Sequence, residues 1–238
     1  MRTNINFFKS ILVTVLLFVS TATFADTFYI CNGASLNLNP AATPDITYSW
    51  DVKDVDGVTS LSGYPRTAVP TTLPSTPGTY KVLLISTANS STVCAPDVVE
   101  NNFVVLPPLS ITLGAPTNTT YCETSTSNSS QITQSASTVP TGTGSDLEIE
   151  YSYTVSKDGA TAVDGTTAGL GSIDAAGKYT LSTTTPGVYV ITGSVKYKQK
   201  TGFTNALLNA SGCPATSTTQ TVTVTAKPTK PTITITAN

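Results

Sequence analysis

The sequence predicts an all-β protein assembled from two copies of one sandwich-forming module. Three observations predict it. First, landmarks recur in the same order: Tyr29-Ile30-Cys31 is answered by Tyr121-Cys122, and Ile46-Thr47-Tyr48-Ser49-Trp50-Asp51-Val52 by Ile149-Glu150-Tyr151-Ser152-Tyr153-Thr154-Val155. Ser75-Thr76-Pro77-Gly78-Thr79-Tyr80 is answered by Thr184-Thr185-Pro186-Gly187-Val188-Tyr189, and each half closes with a cysteine beside a proline, Cys94-Ala95-Pro96 and Cys213-Pro214. Ordered self-similarity of this kind marks tandem repeats. Second, apolar and polar residues alternate with period two, and no segment after the first 25 residues sustains a helical period. Third, charged residues make up only 11% of the chain while Thr and Ser abound. β-Branched Thr suits a pleated, half-buried surface.

Residues 1–25 are expected to be a signal peptide rather than structure. Arg2 and Lys9 supply a positive start, and Ile11 to Val19 form an apolar stretch. Thr23-Phe24-Ala25 then places small residues where a signal peptidase reads, so cleavage is expected before Asp26. The apolar stretch is too short to span a bilayer, and no second one follows, so no membrane span is expected in the exported chain. Removing 25 of 238 residues leaves 213, and loss of Arg2 and Lys9 moves the net charge from −2 to −4. A weakly acidic surface argues against nucleic acid, which requires a basic stripe, so no nucleic-acid partner is expected. Four cysteines, an even number, fit an oxidising compartment, so the expected location is secreted or cell-surface.

The first module is expected over 26–106. Its clearest strand carries Ile46, Tyr48, Trp50 and Val52 on one face, with Asp56-Gly57 as a following turn. Leu106-Pro107-Pro108-Leu109 then forms a stiff link, because adjacent prolines stop a sheet from running through. The second module is expected over 107–226. In it Leu147, Ile149, Tyr151, Tyr153 and Val155 alternate with Glu148, Glu150, Ser152 and Thr154, before turns at Asp158-Gly159 and Asp164-Gly165. Another strand turns Tyr189, Ile191, Gly193, Val195 and Tyr197 inward and Lys196, Lys198 and Lys200 outward. Residues 227–238 repeat the proline punctuation, and Thr232-Ile233-Thr234-Ile235-Thr236 imitates Leu109-Ser110-Ile111-Thr112-Leu113. The tail therefore has the form of a linker plus the first strand of an absent third module. An apolar strand of this kind can also add to an open sheet edge, so self-association through 232–236 is a second expectation.

Strands at this spacing, a large aromatic in mid-strand and a Pro-Gly-x-Tyr corner form the pattern of an immunoglobulin-like sandwich. Trp50 and Tyr153 are the expected equivalent core residues, with Tyr80 and Tyr189 at the corners, each hydroxyl bonding nearby backbone. On Cys31-Asn32-Gly33-Ala34-Ser35-Leu36, Tyr48-Ser49-Trp50-Asp51, Pro77-Gly78-Thr79-Tyr80 and Cys94, the chain resembles the PKD-like and Ig-like repeats of secreted and surface proteins of Bacteroidota. The second copy departs from that pattern, since Cys122-Glu123-Thr124 lacks the glycine and Tyr153 stands for the tryptophan. The resemblance implies a fold and a compartment; it carries over no catalytic residue and no cofactor.

There is no histidine, which removes imidazole bases and His-based triads. Glu148 and Glu150 form the one close glutamate pair, but alternation puts them on the outer face of a strand opposite Lys196, Lys198 and Lys200. Cross-strand ion pairs explain them without a cleft. Asp51, Asp54 and Asp56 with Gly57 hint at a calcium loop, although no glutamate closes it. Turn-forming aspartates that cap backbone amides explain them more simply, so no metal is expected.

Four cysteines allow three connectivities. One pair per module, Cys31 with Cys94 and Cys122 with Cys213, is the expected pairing, because each repeat brings its own pair; head-to-tail stacking of the modules would instead bring Cys31 near Cys213. The expected function is a non-enzymatic structural or adhesion module, a spacer or scaffold for a protein or glycan at the cell surface. The alternative is a carbohydrate-binding accessory role in a polysaccharide-processing system. That role needs exposed aromatics in a row, for which Tyr64, Tyr179 and Phe203 are the candidates.

Overall fold

Alternating segments become strands because each can turn its apolar set onto a partner layer and leave its threonines and lysines in water. A computed structural model describes residues 26–64, 66–124 and 128–235. Residues 1–25, expected to be a signal peptide, and the end of the tail lie outside the described residues. Within them the chain forms β1 (Asp26–Cys31), β2 (Ile46–Lys53), β3 (Gly78–Ala88), β4 (Val99–Leu106), β5 (Ile111–Leu113), β6 (Thr120–Cys122), β7 (Ser130–Ile132) and β8 (Gln134–Ala136). These are followed by β9 (Leu147–Lys157), β10 (Val163–Asp164), β11 (Gly171–Ile173), β12 (Tyr179–Leu181), β13 (Gly187–Gln199), β14 (Ala206–Leu207) and β15 (Ala215–Thr225). The protein is all-β, and its two halves are immunoglobulin-like sandwiches.

The main sheets of the two halves share one design. In the N-terminal half the order is β14-β1-β4-β3-β2, in the C-terminal half β10-β9-β13-β15-β6. In each, three long antiparallel strands lie side by side and a short strand joins the last of them in parallel, β1 on β4 and β6 on β15. Even the register repeats: Trp50 faces Leu84 where Tyr153 faces Gly193, and Tyr80 faces Phe103 where Tyr189 faces Val222. The opposing layers differ. The C-terminal half has β11-β12-β7 and the pair β5-β8, whereas in the N-terminal half the described residues of that layer are joined by the bridge Ser35 to Thr72, flanked by buried Leu36 and Leu73.

Trp50, Val52, Tyr80, Val82, Phe103 and Val105 fill the first core. Tyr153, Tyr179, Tyr189, Ile191, Tyr197 and Val222 lead the second. Strand β13 buries every second residue from Tyr189 to Tyr197, so its alternation is complete. Tyr80 donates its hydroxyl to the Thr76 carbonyl at 2.9 Å, and Tyr189 donates to Thr185 at 2.8 Å. Both rings thus close a corner in which a buried phenol keeps its hydrogen bond. On the outer face Lys196 pairs with Glu150 at 2.9 Å and Lys198 with Glu148 at 3.5 Å. Lys200 leaves that row; its amine reaches the Gly144 carbonyl and its N–H donates to the Asp146 carbonyl.

The cysteine pairing differs from one bridge per module. The bond joins Cys31 to Cys213, and Cys94 and Cys122 are free thiols. Strand length is the reason. Cys31 pairs in register with Leu106, the last residue of β4, while Cys94 lies before Val99, its first. Those ends stand about 23 Å apart at the usual rise per residue. Likewise Cys122 pairs with Thr225 at the end of β15, and Cys213 lies before its start. Within each half the two cysteines therefore sit at opposite poles, too far apart to bridge.

Candidate functional site

The most elaborated region is the junction of the two halves. Three elements of the C-terminal half reach across it. Strand β14 adds to β1 in parallel, Phe28 facing Ala206 and Tyr29 facing Leu207, and the Leu208 N–H donates to the Tyr29 carbonyl at 2.9 Å. The turn that follows presents Asn209, whose Oδ1 accepts the Cys31 N–H at 2.9 Å. Cys213 then closes the disulfide across 182 residues, with Cα atoms 5.5 Å apart. Gly212 makes this turn possible: its φ is +71°, and a Cβ there would lie 2.1 Å from the Tyr197 carbonyl oxygen. No other residue tolerates both conditions.

Beneath the disulfide lies a small polar network. Tyr29 donates its hydroxyl to Asp146 Oδ2 at 2.6 Å, Asn205 Nδ2 donates to the same oxygen at 2.7 Å, and Ser145 Oγ donates to Oδ1 at 2.8 Å. Asp146 is buried, yet these donors, Asn205 first and then Tyr29, hold its carboxyl below the usual carboxylate range. Burial, helped by the carboxylate, pushes the Tyr29 phenol up to about 12. Tyr197 donates to the Pro107 carbonyl at 3.1 Å, which fastens the Pro-Pro link to the second core. Tyr29 and Leu106 pack into that second core as well. Beside the network opens a cleft of about 690 Å³, with Thr27, Asn102, Thr141, Asp146 and Asn205 in its wall. Its wall holds hydrogen-bonding groups, and the carboxylate within it is already fully engaged.

The candidate residues from the sequence fall in separate places. Trp50, Tyr80, Tyr153 and Tyr189 are buried in the two cores. Tyr179, a candidate for stacking on a ligand, is not on the surface: it is wholly buried on β12, stacked on Tyr153 with ring centroids 4.8 Å apart. A tyrosine in the inward register of a second-layer strand has no route to solvent. Tyr64 is half-buried and lines a cleft of about 320 Å³ with an edge of Trp50, while Phe203 is exposed in the turn after β13. The three aromatics form no common platform.

Asp51, Asp54 and Asp56 do not converge. Burial would raise Asp51, but Lys53 and Ser60 together with Arg66 bring it below its ordinary value, Lys53 Nζ lying 2.8 Å away. Asp54 caps the Val55 N–H, and Asp56 accepts from Thr59 Oγ1 and from the Val58 and Thr59 N–H groups. Among the described residues no group of three acidic or sulfur ligands gathers. The sequence pattern carried no sign of Asp146, Asn205 and Asn209, because the bonds that join them to one another and to β1 span more than 50 residues.

No family model matches the chain, and no curated protein matches it. Among solved structures it is similar to the fibronectin(III)-like modules of Clostridium thermocellum CbhA, at 14% identity over 86% of this chain and 93% of that one, with a TM-score of 0.38. It is similar to titin domains at 12% identity over 84% and 62%, TM-score 0.37. It is also similar to the Bacteroides ovatus mixed-linkage glucan utilization locus protein SGBP-B in complex with mixed-linkage heptasaccharide, at 16% identity over 85% and 66%, TM-score 0.23. These values carry no argument about what this chain binds or does.

Proposed function

We propose that this is an exported, non-enzymatic structural or adhesion module of the cell surface, a rigid spacer or scaffold. One observation carries the reading: the two sandwiches are fastened by a disulfide, an added strand and a buried Tyr29–Asp146 hydrogen bond at a single junction. A disulfide persists in an oxidising compartment, in keeping with the signal segment at 1–25. Its proposed role is to hold whatever it displays at a set distance and angle. The scattered positions of Tyr64, Tyr179 and Phe203 favour this reading over stacking on a sugar chain, which needs coplanar exposed rings.

Small-angle scattering tests it. The oxidised protein should fit one narrow distribution of dimensions, and reduction should broaden it. A broad distribution in the oxidised protein would sink the spacer reading. N-terminal sequencing of the exported protein should begin at Asp26.

A further inference from the structure

Among the described residues the N-terminal half lacks a strand that the C-terminal half has. In the C-terminal half β5 lies across the core with Ile111 and Leu113 buried on Gly193, and Gln220 Nε2 donates to the Leu113 carbonyl at 3.1 Å. Its other edge pairs with β8. Register carries each of these partners onto the N-terminal half. Val82 faces Asn101 where Ile191 faces Gln220, so Asn101 stands at the Gln220 position. Counting from the bridged residues Ser35 and Gln131, Leu38–Pro40 stands at the β8 position. Among the described residues no strand occupies the β5 position there, and the Asn101 amide and the Asn39 N–H, which stands at a ladder-bonding position, have no hydrogen-bond partner. In that place run two adjoining grooves of about 420 and 170 Å³, which share Leu38, Asn101 and Phe103.

The tail carries the spare strand. Thr232-Ile233-Thr234-Ile235 matches Ser110-Ile111-Thr112-Leu113, and Ile233 and Ile235 are 82% and 90% exposed. Placed like β5, Ile233 would face Pro40, Thr234 Asn39, and Ile235 Leu38. Backbone bonds at Ser110–Ser137 and Gly114–Thr133 make Ile111–Ala136 a position without ladder bonds, so a proline at the equivalent place is no obstacle.

The free thiols fit the same relation independently. At the junction, the cysteine closing the short parallel strand of one half (Cys31) bonds the loop cysteine of the following half (Cys213). Cys122 closes β6 in the C-terminal half as Cys31 closes β1, and Cys94 is the loop cysteine of the N-terminal half. They are the two cysteines that a repeat of the same junction would join.

We propose that the junction recurs between molecules: the tail of one copy fills the β5-like groove of the next, and Cys122 of the first bonds Cys94 of the second. The contact cannot form within one chain. The tail leaves β15 at the pole remote from the N-terminal half, about 33 Å of strand away. The eight residue steps from Thr225 to Ile233 reach at most about 29 Å at full extension. A contact between different surfaces does not close on itself, so it builds linear chains of molecules. The covalent step is thiol–disulfide exchange with a small-molecule or protein disulfide as oxidant. The Cys122 thiolate attacks that disulfide and releases one thiolate; the Cys94 thiolate then attacks the Cys122 sulfur and releases the second. Two thiols are oxidised, one disulfide is reduced to two thiols, and the two protons go to the released thiolates. Hydrogen bonds from Thr124, backbone N–H first, lower the Cys122 thiol below its ordinary value and favour its thiolate.

The test is the exported protein incubated with oxidised glutathione, followed by non-reducing electrophoresis and peptide mapping. A ladder of multimers with a Cys122–Cys94 peptide is expected, reversed by dithiothreitol. Cys94→Ser and Cys122→Ser should each abolish the ladder, and mixing the two variants should yield a dimer and nothing longer. Ile233→Asp with Ile235→Asp should slow ladder formation more than about tenfold, since burying each isoleucine is worth at least that factor. Monomer alone, Cys94–Cys94 or Cys122–Cys122 peptides, or a Cys122–Cys94 bond inside a monomer would overturn the proposal. A ladder formed at the wild-type rate by the doubly substituted tail would overturn the strand contact.

Discussion

Tyr29 and Asp146, 117 residues apart, meet across the junction in a 2.6 Å hydrogen bond from phenol to carboxylate. The tyrosine belongs to β1 and yet packs into the core of the C-terminal half, so ring and hydroxyl both join the two halves. Replacing Tyr29 with Phe keeps the ring and removes the hydroxyl. Asp146 retains Asn205 and Ser145 as donors. The expected loss is about 1.5–3 kcal/mol, the scale of a hydrogen bond to a charged group, read from urea unfolding at neutral pH. A loss below about 0.5 kcal/mol, the scale of an ordinary surface change, would show that the bond adds nothing to the junction.

The interdomain disulfide should dominate stability under oxidising conditions. Closing a loop of 182 residues restricts the unfolded chain by about 5 kcal/mol in the entropy model. Cys31→Ser should therefore lower the unfolding free energy by several kcal/mol. Cys94→Ser and Cys122→Ser should change the monomer by less than about 0.5 kcal/mol, because neither thiol is bonded or deeply packed. Equal losses from all three would contradict this assignment of the bond.

Trp50 sits in the first core against Val52, Tyr80 and Phe103. Truncation to Ala should cost about 3–5 kcal/mol, from lost burial and the cavity left behind. Denaturant unfolding checks it, and a cost below about 1 kcal/mol would place the ring on the surface instead.

Stability should be flat around neutrality and fall at both extremes. No histidine titrates in the middle range. Burial pushes Tyr29, Tyr121 and Tyr153 up to about 12. A raised folded-state value contributes stability that is complete below the unfolded value near 10 and is lost as the pH climbs through about 12. Asp146 and Asp164 lie below their ordinary values, Asp146 through Asn205 and Tyr29, and Asp164, at about 2, through Thr166. Their contribution is complete above the unfolded value near 4 and is lost as the pH falls through the folded one. Thermal melts from about pH 2 to 12 should show a plateau between about 5 and 9. A steep change inside that plateau would mean that another group controls folding.

Gly212 should tolerate no side chain. A methyl group would meet the Tyr197 carbonyl in a backbone conformation that L residues avoid. Gly212→Ala should cost about 1–3 kcal/mol in strain and displace Cys213 from Cys31. An excess of reduced Cys31 in thiol labelling of the exported variant would report the displacement; wild-type labelling would refute it.

Residue order alone determined the all-β class, the doubled plan and the faces of strands such as β9 and β13, because side chains alternate along a strand whatever it packs against. The Glu148–Lys198 pair follows from the same rule once the two strands are neighbours. Other features depended on distance between elements, which no local pattern encodes. Cys31 lies nearer in sequence to Cys94 than to Cys213, but β4 separates the first two by its whole length while head-to-tail stacking brings the last two together. Tyr179 lies outside the strands the sequence marks as buried, and it became core because β12 turned it under Tyr153. The Asp146 network exists only where β1, the start of β9 and the segment before β14 converge, so tertiary structure alone decided it.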